Sequence, residues 1–293
     1  MDTLSLAGTL RSKLRAIREA GFTRVTVSAT DLAGHADGVA AALREIRDSG
    51  LAVAALHSLR DFEGLDGALR AYKVEIAKAL LEMCVAVGSP VLVAASSAMA
   101  HSSRERDVIA ADLRRLAMLA LPRRVKIAYL PLSWGRAVTD LHAALDVIAR
   151  AGMPNLGIGI DSFHAIASRS ALDELDAVFP ETILLVQLSD FMEPELPSIA
   201  DRVSTGEHRR VFPGEGMHSA QIAELVRRLA ALGYRGGYSL EVFNDDYWQI
   251  DPSTVARRAR DSATWLNEDV LKRAAPPPWA VPSGRAPRGM TSP

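Results

Sequence analysis

Gly152-Met153-Pro154-Asn155-Leu156-Gly157-Ile158-Gly159-Ile160-Asp161-Ser162-Phe163-His164 is the stretch on which the fold turns. A glycine ends a helical segment, a short apolar run from Leu156 to Ile160 follows, and polar groups close it. Glycine just past a helix supplies the left-handed conformation that a helix stop needs. A short, continuously apolar run suits a strand buried on both faces of a parallel sheet. The same joint recurs at Gly21 before Arg24 to Val27, Gly50 before Leu51 to Leu56, Gly88 before Val91 to Val93, and Pro122 before Val125 to Tyr129. It recurs again at Pro180 before Ile183 to Gln187 and at Gly233 before Tyr238 to Leu240. The spacing is about 35 residues, the length of a βα unit. With Thr3 to Leu6 as an opening strand and a last helix from Pro252 to Leu271, the count reads as an α/β protein, a single (β/α)8 TIM barrel. A doubly wound nucleotide-binding sheet is the alternative. No GxGxxG follows any strand, and Gly157-Ile158-Gly159 lies inside one, so no nucleotide cofactor is expected.

Composition bounds the partners. The chain has 293 residues, 34 basic and 35 acidic side chains and a formal charge of −1, which argues against a basic nucleic-acid binder. At 48% hydrophobic and 5% aromatic it can bury a large aliphatic core, which excludes disordered and collagen-like classes. The barrel is expected to end near Arg273, giving a domain over 1–273, and 274–293 reads as a Pro-rich tail that is no domain. The single cysteine, Cys84, sits in an apolar helical run and reads as a buried structural thiol suited to a reducing compartment. Met1-Asp2-Thr3-Leu4 has no basic-then-apolar leader pattern, and no run approaches the ~18 apolar residues of a membrane span. A soluble, cytoplasmic protein with no membrane partner is expected, and homo-oligomerisation is left open.

A barrel carries its chemistry at the C-terminal ends of its strands. The groups there are His57 and Arg60-Asp61, then Leu130 and Trp134-Gly135-Arg136, then Asp161 to His164. Further on come Gln187 to Asp190 and Glu241 to Asp246. The longest connection, Asp190 to Met217, contains His208-Arg209-Arg210. Asp161, Gln187 and Glu241 would converge with oxygen donors suited to Mg²⁺, Mn²⁺ or Co²⁺. Each alone could equally cap a helix, satisfy backbone or pair with an arginine. His164, three residues past Asp161, is placed to act as ligand, base or acid.

These motifs carry a resemblance. Asp161-Ser-Phe-His164, Val186-Gln187-Leu-Ser-Asp190, Phe212-Pro-Gly-Glu-Gly216, Ser239-Leu-Glu241-Val-Phe-Asn244-Asp245 and Leu59-Arg60-Asp61-Phe62-Glu63-Gly64 together resemble the bacterial 3-dehydroshikimate dehydratases. That family belongs to the xylose-isomerase-like, sugar-phosphate isomerase/epimerase barrels. The resemblance implies a lyase that enolises and dehydrates a keto acid to protocatechuate with one divalent metal. It implies Asp161, Gln187 and Glu241 as metal ligands, and His164, His208 and Arg210 as catalytic or substrate-binding groups. Arg60, Trp134, Arg136 and Asn244 are the candidate contacts for a small substrate, expected to be a carboxylate.

The chain departs from the pattern at one ligand. Where the family has a Glu five positions before the Gly of Trp134-Gly135-Arg136, this sequence has Leu130, which cannot donate to a metal. A bound Mg²⁺, Mn²⁺ or Co²⁺ and a metal-independent site therefore stand as alternatives. The second reading of function is an isomerase, dehydratase or cyclisation enzyme working without metal, and the third a non-catalytic ligand-binding barrel.

Overall fold

The apolar runs become strands and pair in chain order. In the computed structural model, which describes residues 1–272, seven parallel strands form one sheet: β1 (Arg24–Ser28), β2 (Ala52–Arg60), β3 (Val91–Ala95), β4 (Lys126–Leu130), β5 (Leu156–Asp161), β6 (Ile183–Leu188) and β7 (Tyr238–Leu240). Helices such as Leu10–Glu19, Gly67–Val87 and Ser219–Leu232 alternate with them. β3 and β5 are buried at every residue, as strands between a packed interior and a helical coat must be. The glycine joints work as read. Gly50 and Gly152 cap their helices in the left-handed region at φ 68° and 60°. Cys84 is buried in the helix Gly67–Val87. No helix among the described residues is long and apolar enough to cross a membrane. The expected tail at 274–293 lies outside the described residues.

Two expectations need correction. Thr3 to Leu6 is no strand: Thr3–Ser5 forms a 3-10 turn, because the Asp2 carboxylate accepts the Leu4 N–H at 2.9 Å and bends the chain there. Only Asp2 pairs as a bridge, with Thr26, while its N–H donates to Leu240 O at 3.0 Å. The eighth place in the barrel wall is thus held by Met1-Asp2 between β1 and β7. The long connection after β6 is no simple loop either, since Ile199–His208 is helical with a Ser198/Asp201 capping box.

Register sets the upper rim. Ser28 lies beside His57, Ala95 beside Leu130, and Asp161 beside Gln187, so the polar strand ends stand at one level.

Candidate active site

Two strand ends and one loop bring the charged groups together. Asp161 is the last residue of β5, Glu241 follows β7, and Arg210 follows the helix Ile199–His208. The Arg210 backbone is pinned from both sides: its N–H donates to Phe243 O at 2.9 Å and its carbonyl accepts from Asn244 Nδ2 at 2.7 Å. Its side chain, in a residue 2% exposed, places Nη1 2.7 Å from Asp161 Oδ2 and 3.8 Å from Glu241 Oε2. Nε donates to Gly206 O at 2.7 Å, and the guanidinium lies 4.4 Å over the Phe163 ring.

Burial alone would raise the Asp161 pKa, but the Arg210 charge and hydrogen bonds from Arg210 and the Phe163 N–H hold it below the ordinary carboxylate value. His164 is enclosed, and desolvation with the nearby Arg210 and Arg60 charges lowers its pKa to about 3 despite Asp161. The ring is therefore neutral, and its 3.9 Å approach to Asp161 is no ion pair. Ser133 N–H donates to His164 Nδ1 at 3.0 Å, which makes Nδ1 the acceptor and leaves the proton on Nε2, facing Asp161 and Arg210.

His57, on β2, places Nε2 3.0 Å from Glu241 Oε1. Burial would lower its pKa, but Glu241 and Asp2 outweigh that and raise it. Asp2 itself is pushed up to about 7 by burial and by Glu241. The cavity over these groups is lined by His57, Arg60, Leu130, Trp134, Asp161, His164, Glu207, Arg210 and Glu241, among others. Its volume is about 20 Å³, room for roughly one water. At its mouth Arg60 pairs with Glu207 at 3.4 Å, both partly exposed. A wider cavity of about 420 Å³ opens at the other end of the barrel, around residues 233–239, without a histidine on its wall.

The expected residues divide. Asp161, His164, Arg210, Glu241, Arg60 and Trp134 converge on the cavity. Gln187 is buried at the same level but does not line it. His208 faces outward, 52% exposed and 3.2 Å from Asp245, and Arg136 is exposed beyond the rim. Asn244 is structural: besides holding the Arg210 carbonyl it accepts the Asp246 and Tyr247 N–H groups. The quoted motifs also hold loops. Glu215 accepts from Phe212 N–H, Tyr247 and Arg258, and Asp190 from Phe191 N–H, His218 N–H and Ser219. Sequence reasoning places His57 among the strand-end groups without giving it a role, and leaves out Glu207 and Ser133. The signal for His57 is its place directly after the apolar run Leu51 to Leu56.

The residues do not fit the divalent metal that the resemblance implies. Both Asp161 oxygens are committed, one to the Phe163 N–H and one to Arg210. Glu241 Oε1 faces His57, and Leu130 is a buried hydrocarbon at the fourth position. Gln187 has neither amide atom hydrogen-bonded and Glu241 is held only by ion pairs, to His57 at 3.0 Å and Arg210 at 3.8 Å, so one neutral amide and one shared carboxylate are what remain, too few donors for a hard dication. Among the described residues no group of three or more His, Cys, Asp or Glu could hold a metal ion.

Comparison with known proteins agrees with this architecture. A 3-dehydroshikimate dehydratase of Pseudomonas aeruginosa is 35% identical over 279 residues, which cover 94% of this chain and 43% of the relative. A solved xylose isomerase-like TIM barrel/4-hydroxyphenylpyruvate dioxygenase fusion protein superposes with a TM-score of 0.85 at 29% identity, over 93% of this chain and 43% of that one. An IolI protein solved with a zinc atom shares the fold, with a TM-score of 0.78 at 18% identity over 92% of this chain and 98% of that one. The chain spans less than half the length of the curated dehydratase that it matches. The family model for xylose isomerase-like TIM barrels matches residues 14–269, and with the parallel barrel and its polar C-terminal rim, the chain belongs to that family.

Proposed function

We propose that the chain is a carbon–oxygen lyase that enolises and dehydrates a small polyhydroxylated keto acid, 3-dehydroshikimate or a close analogue, to protocatechuate and water. The observation that carries the reading is His164, a neutral ring whose Nδ1 is fixed by the Ser133 N–H so that Nε2–H is offered beside Arg210. A neutral imidazole in this tautomer is a hydrogen-bond donor to a ketone oxygen, not a base. That revises the broader expectation for His164.

The base is then Glu241, whose Oε2 lies on the cavity side, with His57 on its other oxygen. Glu241 takes the proton next to the ketone, and the electron pair moves onto the ketone oxygen, which His164 Nε2–H and the Arg210 guanidinium stabilise as an enolate. The enolate re-forms the carbonyl and expels the hydroxyl two carbons from it. That hydroxyl takes the proton from Glu241 and leaves as water. The resulting dienone tautomerises to the aromatic ring. Arg60 suits the substrate carboxylate, which would take the place of Glu207 on a guanidinium at the cavity mouth. Similarity to the Pseudomonas aeruginosa dehydratase supports the substrate class.

The test is ultraviolet detection of protocatechuate from 3-dehydroshikimate. Wild type is expected to form it, and His164→Asn to lose about 10²–10³-fold in kcat, the cost of one donor to an oxyanion, with an unchanged Tm. No product from wild type, with or without added Mg²⁺, Mn²⁺ or Co²⁺, would reject the assignment.

A further inference from the structure

We infer that the Arg210 guanidinium is the resident cation of this site and that the chain works without a divalent metal. The inference deepens the lyase reading, and its chemistry rests on that reading, but its test reads binding rather than turnover.

A metal on Asp161 and Glu241 would occupy the space between their carboxylates. Arg210 Nη1 already spans it, 2.7 Å from Asp161 Oδ2 and 3.8 Å from Glu241 Oε2, with Ser189 Oγ at 3.4 Å. This is no chance approach of a long surface chain. Nε is tied to Gly206 O, the ring of Phe163 lies under the guanidinium, and the backbone is held on both sides. A guanidinium is planar, stays charged at any physiological pH and is less strongly hydrated than an ammonium, so it suits a dry site facing two carboxylates.

Leu130 fits the same arrangement. It ends β4, is buried, and presents hydrocarbon where another carboxylate would be needed to offset both a dication and an arginine. With only Asp161 and Glu241 present, adding a dication beside Arg210 leaves the pocket net positive and sets like charges against each other in a poorly hydrated space. With Leu130 in place of a carboxylate, the charge balance of the pocket is met by the guanidinium between Asp161 and Glu241. Nη2 makes no bond to Asp161 and reaches 3.4 Å from His164 Nε2, so its hydrogens and the His164 Nε2–H can converge on one substrate oxygen. They would supply to an enolate what a Lewis acid supplies elsewhere.

The experiment is calorimetric titration of MnCl₂ and CoCl₂ into the EDTA-treated full chain, with metal content measured on the protein as purified. Wild type is expected to carry no stoichiometric metal and to give no saturable binding. Arg210→Gln, which vacates the cation position, is expected to gain affinity for Mn²⁺ or Co²⁺, and Leu130→Glu/Arg210→Gln to gain a further ~10–100-fold or more, since even an outer-shell partner of a metal ligand carries that much. One-site binding of either ion to wild type overturns the inference, as does a folded Arg210→Gln that binds metal no better than wild type. Should the variants fail to fold, the wild-type titration decides alone. The lyase reading is judged separately: wild type that binds neither ion and forms no protocatechuate with or without added Mg²⁺, Mn²⁺ or Co²⁺ defeats that reading while leaving the arginine in the cation's place.

Discussion

Glu63 is enclosed in the loop after β2, where its Oε1 accepts the Ser97 N–H at 2.5 Å and the Tyr129 hydroxyl at 2.9 Å. Burial pushes its pKa up to about 7, against the pull of those hydrogen bonds. A carboxyl whose folded-state pKa lies above its unfolded value binds more protons when folded, so its contribution to stability is complete below the unfolded pKa, near 4.5, and is lost as pH rises to about 7. Glu63→Gln keeps an Oε1 acceptor for both donors and removes the titration. Between pH 5 and 8 the wild type should lose stability relative to Glu63→Gln by roughly 2–3 kcal/mol, read by urea unfolding at each pH. A constant difference across that range would show that the fold does not perturb Glu63. The same residue explains why a motif can be conspicuous in sequence without touching substrate. Within Leu59 to Gly64, Asp61 accepts the Ala98 N–H and Gly64 donates to Asp112, while only Arg60 reaches the cavity.

The helix Ile199–His208 positions the arginine, and it does so through a residue with no side chain. A Cβ on Gly206 would come 2.6 Å from Trp134 Cζ3 and 2.8 Å from Phe163 Cε1, while the Gly206 carbonyl accepts from Arg210 Nε. Gly206→Ala should therefore displace the helix or the Trp134 ring. The expected cost is about 1–3 kcal/mol in thermal unfolding, with a fall in kcat as Arg210 loses its anchor. An alanine variant with unchanged Tm and kcat would mean that this contact is slack. In sequence this helix was hidden within the polar connection Asp190 to Met217, its start marked only by the Ser198-x-x-Asp201 spacing that becomes the capping box. The flanking elements were legible because each joint pairs a helix stop with an apolar run, a local signal. Asp161 and Glu241 were legible for the same reason, being the first charged groups after such runs. Arg210 was visible as a candidate, but its place between two carboxylates was not, since that depends on backbone bonds to Phe243 and Asn244 more than 30 residues away in sequence.

Closure of the barrel is where local reading stops working on the whole molecule. Seven strands follow from seven joints, but the wall between β1 and β7 is made by hydroxyls as much as by backbone. Thr26 N–H donates to Met1 O at 3.0 Å and Asp2 N–H to Leu240 O at 3.0 Å. Ser28 N–H turns instead to Thr3 Oγ1 at 3.0 Å and Val242 N–H to Ser5 Oγ at 2.8 Å, and the Thr26 and Ser239 hydroxyls meet at 3.1 Å. Thr3 and Ser5 suggested a strand by composition, yet their side chains satisfy the neighbouring strands while their own backbone turns. Every other neighbouring pair of strands shares a ladder of at least three residue pairs, whereas this seam has a single bridged residue. Local opening follows the number of cooperative bonds that must break together, so the seam should open before the rest of the barrel. In native-state hydrogen exchange, amides of Thr26, Ser28 and Val242 should exchange about tenfold or more faster than those of Ile127 and Ile158 in β4 and β5. Equal protection across all strands would show that Met1-Asp2 closes the barrel as firmly as a full strand, and that Glu241, beside the seam, with its partner His57 on β2, is held as rigidly as Asp161.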